Sequence, residues 1–465
     1  MWKKRYSRKI KVVSILITVS FVLLIAATLS KGGILALNHN DYTEKIETEQ
    51  KLREDKKQYT VIPGDIYDEK GETIVAFTQT IDKAKCHYHK SYSHLLGNFS
   101  LNDNAYLNSN KNILLHEQTS ENTKNKGTSF FLTINDDLQR FAYSLTEGEQ
   151  ASIVALKRHS GDILALTSTY SQSFDLGGDI NPEDIDRYNN SSEPIWTPDY
   201  LNKFPPGSCM KIFSSAVAFE TGNGGFAIDD TGSVDYNGDK LYNCDGIAYG
   251  ANEDINKAFT VSSNVYFASL FNNLDIGDIR KLSDKMWLNK SFNTDFGTFT
   301  NSFSFGDYSS FDIGLLGIGQ KNELSAVGLA IMTQGIIDNE MYYPHVTKEA
   351  CYKTKNGSFQ VVHTTTRGSY NMMIKNNIFS EETCSQVRQL MENAARSDEY
   401  GLSDNIIGAK TGTAELEIEG TLTGRANMVA YDENYIVVVS KAGNSFGISN
   451  KEIIEKLFKK LDDIS

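Results

Sequence analysis

The chain of 465 residues has no acidic residue before position 32, only five cysteines, and no fixed-period repeat. Its first 31 residues carry seven of the 46 Lys and Arg and none of the 59 Asp and Glu, so the remainder has a net charge of −20. A body that acidic is no nucleic-acid clamp, which needs surplus Lys and Arg to displace counterions from phosphates. Cys86, Cys209, Cys244, Cys351 and Cys384 are odd in number and irregular in spacing, so no disulfide framework is implied. Cys86-His87-Tyr88-His89 could supply half of a metal site but lacks a spaced second pair, and it reads as a surface strand. What is present, 40% hydrophobic and 11% aromatic residues, exceeds the usual content of a disordered chain and predicts a large core. The length corresponds to roughly two to four domains at about 100–200 residues each.

Val12–Leu29 holds eighteen residues without one ionisable side chain. As a helix it rises about 27 Å, close to a bilayer's hydrocarbon thickness. Lys3, Lys4, Arg5, Arg8, Lys9 and Lys11 precede it, which keeps the tip in the cytoplasm and exports the rest of the chain. The run is longer than a signal-peptide core, and no clean small-x-small site comes after Leu29, so an uncleaved anchor is expected. The expected order is a cytoplasmic tip (1–11), a transmembrane anchor (12–30), a membrane-proximal module (31–128) and a main domain (129–465).

Local patterns fill in that order. Residues 61–77 read as a hairpin about Tyr67-Asp68-Glu69-Lys70-Gly71, and the polar stretch 102–128 reads as a boundary. Leu132–Gln139 suggests a strand and then a helix capped by Asn135 or Asp136. Ala151–Leu156 and Ile163–Ser168 form a second hairpin pattern, and Met428–Tyr431 with Tyr435–Ser440 a third. Pro194, Pro198, Pro205 and Pro206 make 172–206 a long irregular loop of the kind that serves a site. An amphipathic helix near 450–461 ends the pattern. Strands at both ends of a mostly helical middle suggest one sheet closed by the two ends of a domain.

Two short motifs carry chemistry. Pro205-Pro206-Gly207-Ser208-Cys209-Met210-Lys211 opens a helix, and Ser208 and Lys211, three apart, share one face of its first turn. A serine hydroxyl becomes a nucleophile when a neighbouring base takes its proton, and a lysine can be that base once burial and the helix dipole lower its pKa. Cys209, beside the nucleophile, points about 100° away round the helix and reads as a small buried residue. Ser208 begins the chain's only S-x-x-K. Lys410-Thr411-Gly412-Thr413 reads as a strand whose lysine and hydroxyls can bind a carboxylate, with Gly412 leaving room for a ligand backbone.

Together these motifs resemble the penicillin-binding protein and serine β-lactamase superfamily, with its S-x-x-K, S-x-N and K-T-G set. Four S-x-N triplets occur: Ser100–Asn102, Ser262–Asn264, Ser291–Asn293 and Ser403–Asn405. Asn405 is too close to Lys410 to stand on an opposing wall. Ser262-Ser263-Asn264, 54 residues after Ser208 and 146 before Lys410, has the family's order and leads into a helical pattern. Pro63-Gly64-Asp65-Ile66-Tyr67-Asp68, His94-Leu95-Leu96-Gly97, Leu132-Thr133-Ile134 and Gly317-Ile318-Gly319-Gln320 also resemble segments of the monofunctional (class B) transpeptidases. Arg425-Ala426-Asn427-Met428 departs from the aromatic-rich strand common after the lysine motif.

The resemblance implies an α/β, more strictly α+β, domain with an antiparallel five-stranded sheet flanked by helices. It implies a D,D-transpeptidase needing neither cofactor nor metal, acting on peptidoglycan stem peptides and blocked by β-lactams. Ser208 is the implied nucleophile, Lys211 its base, Ser262 a proton relay and Asn264 a substrate-amide anchor. Lys410, Thr411 and Thr413 would hold the substrate carboxylate, and the N–H groups of Ser208 and Thr413 would form the oxyanion hole. Residues 33–131 are too few for a glycosyltransferase domain, so a membrane glycosyltransferase of the elongation, division or sporulation type is the expected partner. The rival readings are a D,D-carboxypeptidase or β-lactamase of the same fold, for which Glu253 reads as helix lead-in rather than a deacylating residue, and a non-catalytic β-lactam sensor.

Overall fold

The computed structural model describes residues 61–464 apart from 82, 84, 102–104, 116–125, 171–174, 178–184, 187–189, 191–196, 304, 354–358, 362–372, 419–420 and 444. The expected tip and anchor lie outside the described residues. Among the described residues no helix is long and apolar enough to cross a membrane. One unit ends at Val61, and Ile62–Ser465 forms a second, compact unit that contains both chemical motifs.

Its centre is a five-stranded sheet of β1 (Ala151–Lys157), β2 (Ile163–Thr169), β3 (Gly408–Ile418), β4 (Thr421–Tyr431) and β5 (Tyr435–Ala442). The order is β3-β4-β5-β1-β2, antiparallel throughout. β5 pairs with β1 from Tyr435↔Lys157 to Lys441↔Ala151, so the two ends of the domain close one sheet, as the strand positions suggest. All of β2 and all but Lys157 of β1 are buried, which a one-sided alternating strand cannot achieve; both faces are covered. The β3–β4 ladder runs on to Ile418↔Thr421, well beyond the apolar stretch Met428–Tyr431, because backbone pairing rather than side-chain alternation carries it.

The helices that surround the sheet and the site are α1 (Asp136–Thr146), α2 (Lys211–Glu220), α3 (Ile255–Thr260), α4 (Asn264–Asn273), α5 (Ser310–Ile318), α6 (Ala326–Ile337), α7 (Glu381–Arg396) and α8 (Lys451–Ile464). α1 and α8 pack together on the sheet, and α6 and α7 form a second packed pair on it. Every residue of α6 is buried, as expected of a helix that is apolar but for Thr333 and Gln334, whose side chains donate to Leu329 O and Ser160 O. Asn135 caps α1 by accepting from Leu138 N.

A second five-stranded sheet holds the hairpin Ile66–Tyr67/Thr73–Val75, paired in parallel to Ser129–Leu132 and through it to Thr347–Lys353. The Asp68 carboxylate accepts from Lys70 N and Glu72 N, which fixes the turn. Within the polar stretch 102–128, Tyr106–Ser109 and Lys111–Leu114 form one-turn helices rather than a plain boundary, since Tyr106, Leu107 and Leu114 are fully buried. Nor is Cys86–His89 a surface strand. Cys86 is buried, and His89 caps the next turn by accepting from Ser91 N.

Candidate active site

Residues Gly207–Met210 form a 3₁₀ turn that passes into α2. Side chains three apart eclipse in such a turn, so Ser208 and Lys211 are aligned more directly than an α-helix would align them. From Phe204 to Ala218 every residue is buried except Ser208. The turn lies backbone to backbone on β3, and two glycines permit it. Gly207 has φ +56°, and a Cβ there would stand 2.4 Å from Thr413 O. A Cβ on Gly412 would stand 2.4 Å from Pro206 O and 2.9 Å from Cys209 N. Gly412 therefore makes room for the protein's own serine turn, which corrects the expectation that it makes room for a ligand. Gly319 completes the seat, its carbonyl accepting from Gly207 N at 3.0 Å.

Lys211 is wholly buried. Its Nζ lies 2.7 Å from Ser262 O, 2.8 Å from Asn264 Oδ1 and 3.3 Å from Ser262 Oγ. Burial first, and then the positive charge of Lys410, hold its pKa well below the ordinary lysine range. A neutral amine has two N–H bonds and one lone pair. The two short contacts use the N–H bonds, leaving the lone pair for a hydroxyl proton.

Ser262 stands on the turn between α3 and α4 and Asn264 opens α4; Ser262 adopts φ +58°, a left-handed conformation uncommon for serine. Ser263 caps α4 by accepting from Tyr266 N, and it donates to Asp230 Oδ2. Asn243 Oδ1 accepts from Asn264 N at 2.8 Å and Val265 N at 2.9 Å, while its amide donates to Asp230 Oδ2. Asp230 and Asn243 thus aim Asn264, and nothing in the spacing of the sequence marks either of them.

On β3 the pleat alternates. Lys410, Gly412 and Ala414 are buried, whereas Thr411 and Thr413 are partly exposed on the other face. Lys410 Nζ spends its three protons on Ser262 Oγ (3.0 Å), Tyr400 OH (3.1 Å) and Thr411 O (3.2 Å). The expected row of lysine and hydroxyls is therefore two layers, hydroxyls at the surface and the ammonium behind them. Tyr400, which no motif indicates, also lies against Thr411.

Other singled-out residues take structural roles. Ser403-Asp404-Asn405 belongs to a loop whose carbonyls of Leu402, Ser403, Asp404 and Ile406 accept from the Arg396 guanidinium. The Cys209 thiol, buried against Lys410 O, has its pKa pushed up to about 12 by burial. Arg425 is buried, ion-paired with Asp199, and stacked 4.2 Å from the Phe204 ring centroid. Asn427 donates to Pro206 O and accepts from Ser440 Oγ. These two residues tie β4 to the segment that delivers Ser208. Glu253 is fully buried beside Asp230 and Ser263. Burial and then Asp230 push its pKa up to about 8.

Among the described residues no group of three His, Cys, Asp or Glu could hold a metal ion. The cleft offers a serine, a buried amine whose pKa is lowered, a hydroxyl shared by two lysines and two edge-strand hydroxyls, a set suited to acyl transfer.

A family model described as the penicillin binding protein transpeptidase domain matches residues 151–460. The peptidoglycan D,D-transpeptidase MrdA of Haemophilus influenzae is 33% identical over 156 residues, 32% of this chain and 24% of that protein. The protein of the same name in Acinetobacter baumannii is 27% identical over 199 residues, 41% of this chain and 29% of its own length. The matched region thus spans well under half of either curated relative. Among solved structures, penicillin-binding protein A from M. tuberculosis, seen as a ceftriaxone acyl-enzyme complex, has a TM-score of 0.71 at 20% identity, over 83% of this chain and 93% of that one. The D,D-transpeptidase domain of a peptidoglycan glycosyltransferase from Eggerthella lenta has a TM-score of 0.73 at 15% identity, over 87% and 99%. At these identities the likeness to the solved structures is one of fold.

Proposed function

This chain belongs to the penicillin-binding protein transpeptidase family, and from that premise we propose that it is a class B D,D-transpeptidase cross-linking peptidoglycan stem peptides. Lys211 Nζ takes the Ser208 proton, and Ser208 Oγ attacks the carbonyl joining the two terminal D-alanines of a donor stem. The oxyanion that forms is held by the N–H groups of Ser208 and Thr413, each worth about 3–4 kcal/mol in comparable sites. The proton then passes from Lys211 through Ser262 to the departing D-alanine nitrogen as the C–N bond breaks. Asn264 holds the substrate amide, and Thr411 and Thr413 hold the terminal carboxylate with the Lys410 charge behind them. An amine of a second stem attacks the acyl-enzyme and restores Ser208. A β-lactam enters as a donor and leaves Ser208 acylated.

The observation that carries this reading is Lys211, fully buried with its pKa well below normal, one 3₁₀ turn from the only partly exposed residue of its segment. In the same reading, Val12–Leu29 anchors the chain in the bacterial plasma membrane with the catalytic unit outside, and a membrane glycosyltransferase supplies the glycan strands. Labelling with a fluorescent penicillin tests it: wild type should be labelled for hours and Ser208→Ala not at all. Labelling that survives Ser208→Ala would sink the nucleophile assignment. Donor and acceptor stem peptides should give a cross-linked product, whereas D-alanine release alone would mark a carboxypeptidase.

A further inference from the structure

Tyr400 is 1% exposed, in the segment that joins α7 to β3. The segment is held at both ends. Tyr400 N and Gly401 N donate to Ser397 O, and the Arg396 guanidinium clasps the carbonyls of Leu402, Ser403, Asp404 and Ile406. The Tyr400 phenol oxygen has three neighbours: Lys410 Nζ at 3.1 Å, Thr411 N at 3.0 Å and Thr411 Oγ1 at 2.7 Å. A phenol has two acceptor positions and one proton. An ammonium and a backbone N–H can only donate, so both acceptor positions are filled and the phenol proton has one destination, Thr411 Oγ1. The Thr411 oxygen is thereby an acceptor toward the protein, and its own proton is left for the cleft. Thr413 is set in the same sense by a different donor, since Gly447 N donates to Thr413 Oγ1 at 3.1 Å.

The backbone contact has a second effect. β3 is an edge strand of the large sheet. Because the Thr411 N–H goes to Tyr400 instead of β4, the N–H two residues on, at Thr413, also faces the open edge. Tyr400 closes the first of these donors and leaves the second. A ligand strand lying along β3 beside the Ser208 turn therefore finds the Thr411 N–H taken and the Thr413 N–H facing it.

Resting on the transpeptidase reading, we infer that Tyr400 is a positioning residue for ligand carboxylates: it commits Thr411 to donate its proton into the cleft and stops the edge so that the ligand registers at Thr413. Lys410, whose three protons are all bound within the protein, acts on the carboxylate through this phenol and the Thr411 hydroxyl.

Tyr400→Phe keeps the ring and removes only the hydroxyl. The probes are benzylpenicillin and its methyl ester, which differ only in the carboxylate, and the readout is the ratio of their acylation rate constants at Ser208. Wild type should prefer the acid, and Tyr400→Phe should reduce that preference at least about tenfold, chiefly by slowing the acid. Thr411→Val should reduce it similarly, and the double variant should lose little more, because the two act in series. Equal slowing of acid and ester, or an unchanged ratio in a variant with wild-type thermal stability, would overturn the inference while leaving the nucleophile assignment standing. A wild type that neither probe acylates would overturn the transpeptidase reading and this inference with it.

Discussion

Lys211 and Lys410 point their amines at one atom, Ser262 Oγ, from 3.3 Å and 3.0 Å. Two buried lysines cannot both carry full charge cheaply at that spacing. Lys410 places all three protons on acceptors within 3.2 Å, whereas the third contact of Lys211 is the long one, and it is Lys211 whose pKa burial and the Lys410 charge lower.

Replacing Lys410 by Met removes the second cause of the depressed Lys211 pKa. The Lys211 pKa should rise, and the acid limb of the acylation profile should move up by about one pH unit. Acylation measured from about pH 6 to pH 10 should show this, with the largest loss of rate at the acid end. A uniform loss across the range would mean that Lys410 does not act on Lys211.

Gly412→Ala puts a methyl group 2.4 Å from Pro206 O, a backbone atom that can yield only if the whole serine turn moves. Acylation should fall by about a hundredfold, as it does when a nucleophile is displaced by an ångström. Stopped-flow acylation and thermal melting, measured together, should show a kinetic loss out of proportion to the fall in Tm.

Glu253 gives stability a pH dependence of known sign. Its folded pKa is raised from 4.5 to about 8, so the folded chain holds a proton that the unfolded chain releases. The associated stability is complete below about pH 4.5 and drains away as pH rises to about 8, a loss on the order of a few kcal/mol at most. Glu253→Gln should therefore melt higher than wild type at about pH 8.5, and the two curves should converge toward about pH 5.

Arg425→Ala leaves Asp199 buried without its counter-charge. A loss of about 3–5 kcal/mol in urea unfolding is expected. The paired change Arg425→Met with Asp199→Leu should recover most of it, because it removes both desolvated charges.

The residues legible in the sequence are those whose type is rare enough at a fixed spacing to carry chemistry by itself. Ser208 with Lys211 and Lys410 with Thr411 and Thr413 are of this kind, their order picks Ser262 with Asn264 out of four S-x-N triplets, and the buried strands are announced by their apolar runs. Tyr400, Asp230 and Asn243 act through single hydrogen bonds delivered from loops, and a loop contact leaves no period to detect. Arg425 and Asn427 are visible as a departure from the family, but their meaning depends on Asp199 and Pro206, more than two hundred residues away. Gly412 is legible as a point of close approach but not as a seat for the serine turn, since a sequence cannot show which backbone arrives.

The sheet that seats the serine turn joins β1 near residue 151 to β5, which ends at Ala442. Ser208 is thus made about two hundred residues before the strand that carries Lys410 and Thr413. A ribosome-bound or truncated chain that stops short of Gly408 possesses Ser208 and Lys211 but no β3 to lay them on. Such contacts between distant parts of a chain form late in folding. In the proposed mechanism reactivity is therefore a property of the finished polypeptide: β3 joins the sheet only through β4 and β5, so synthesis itself withholds the acylating centre until the last strand is laid down.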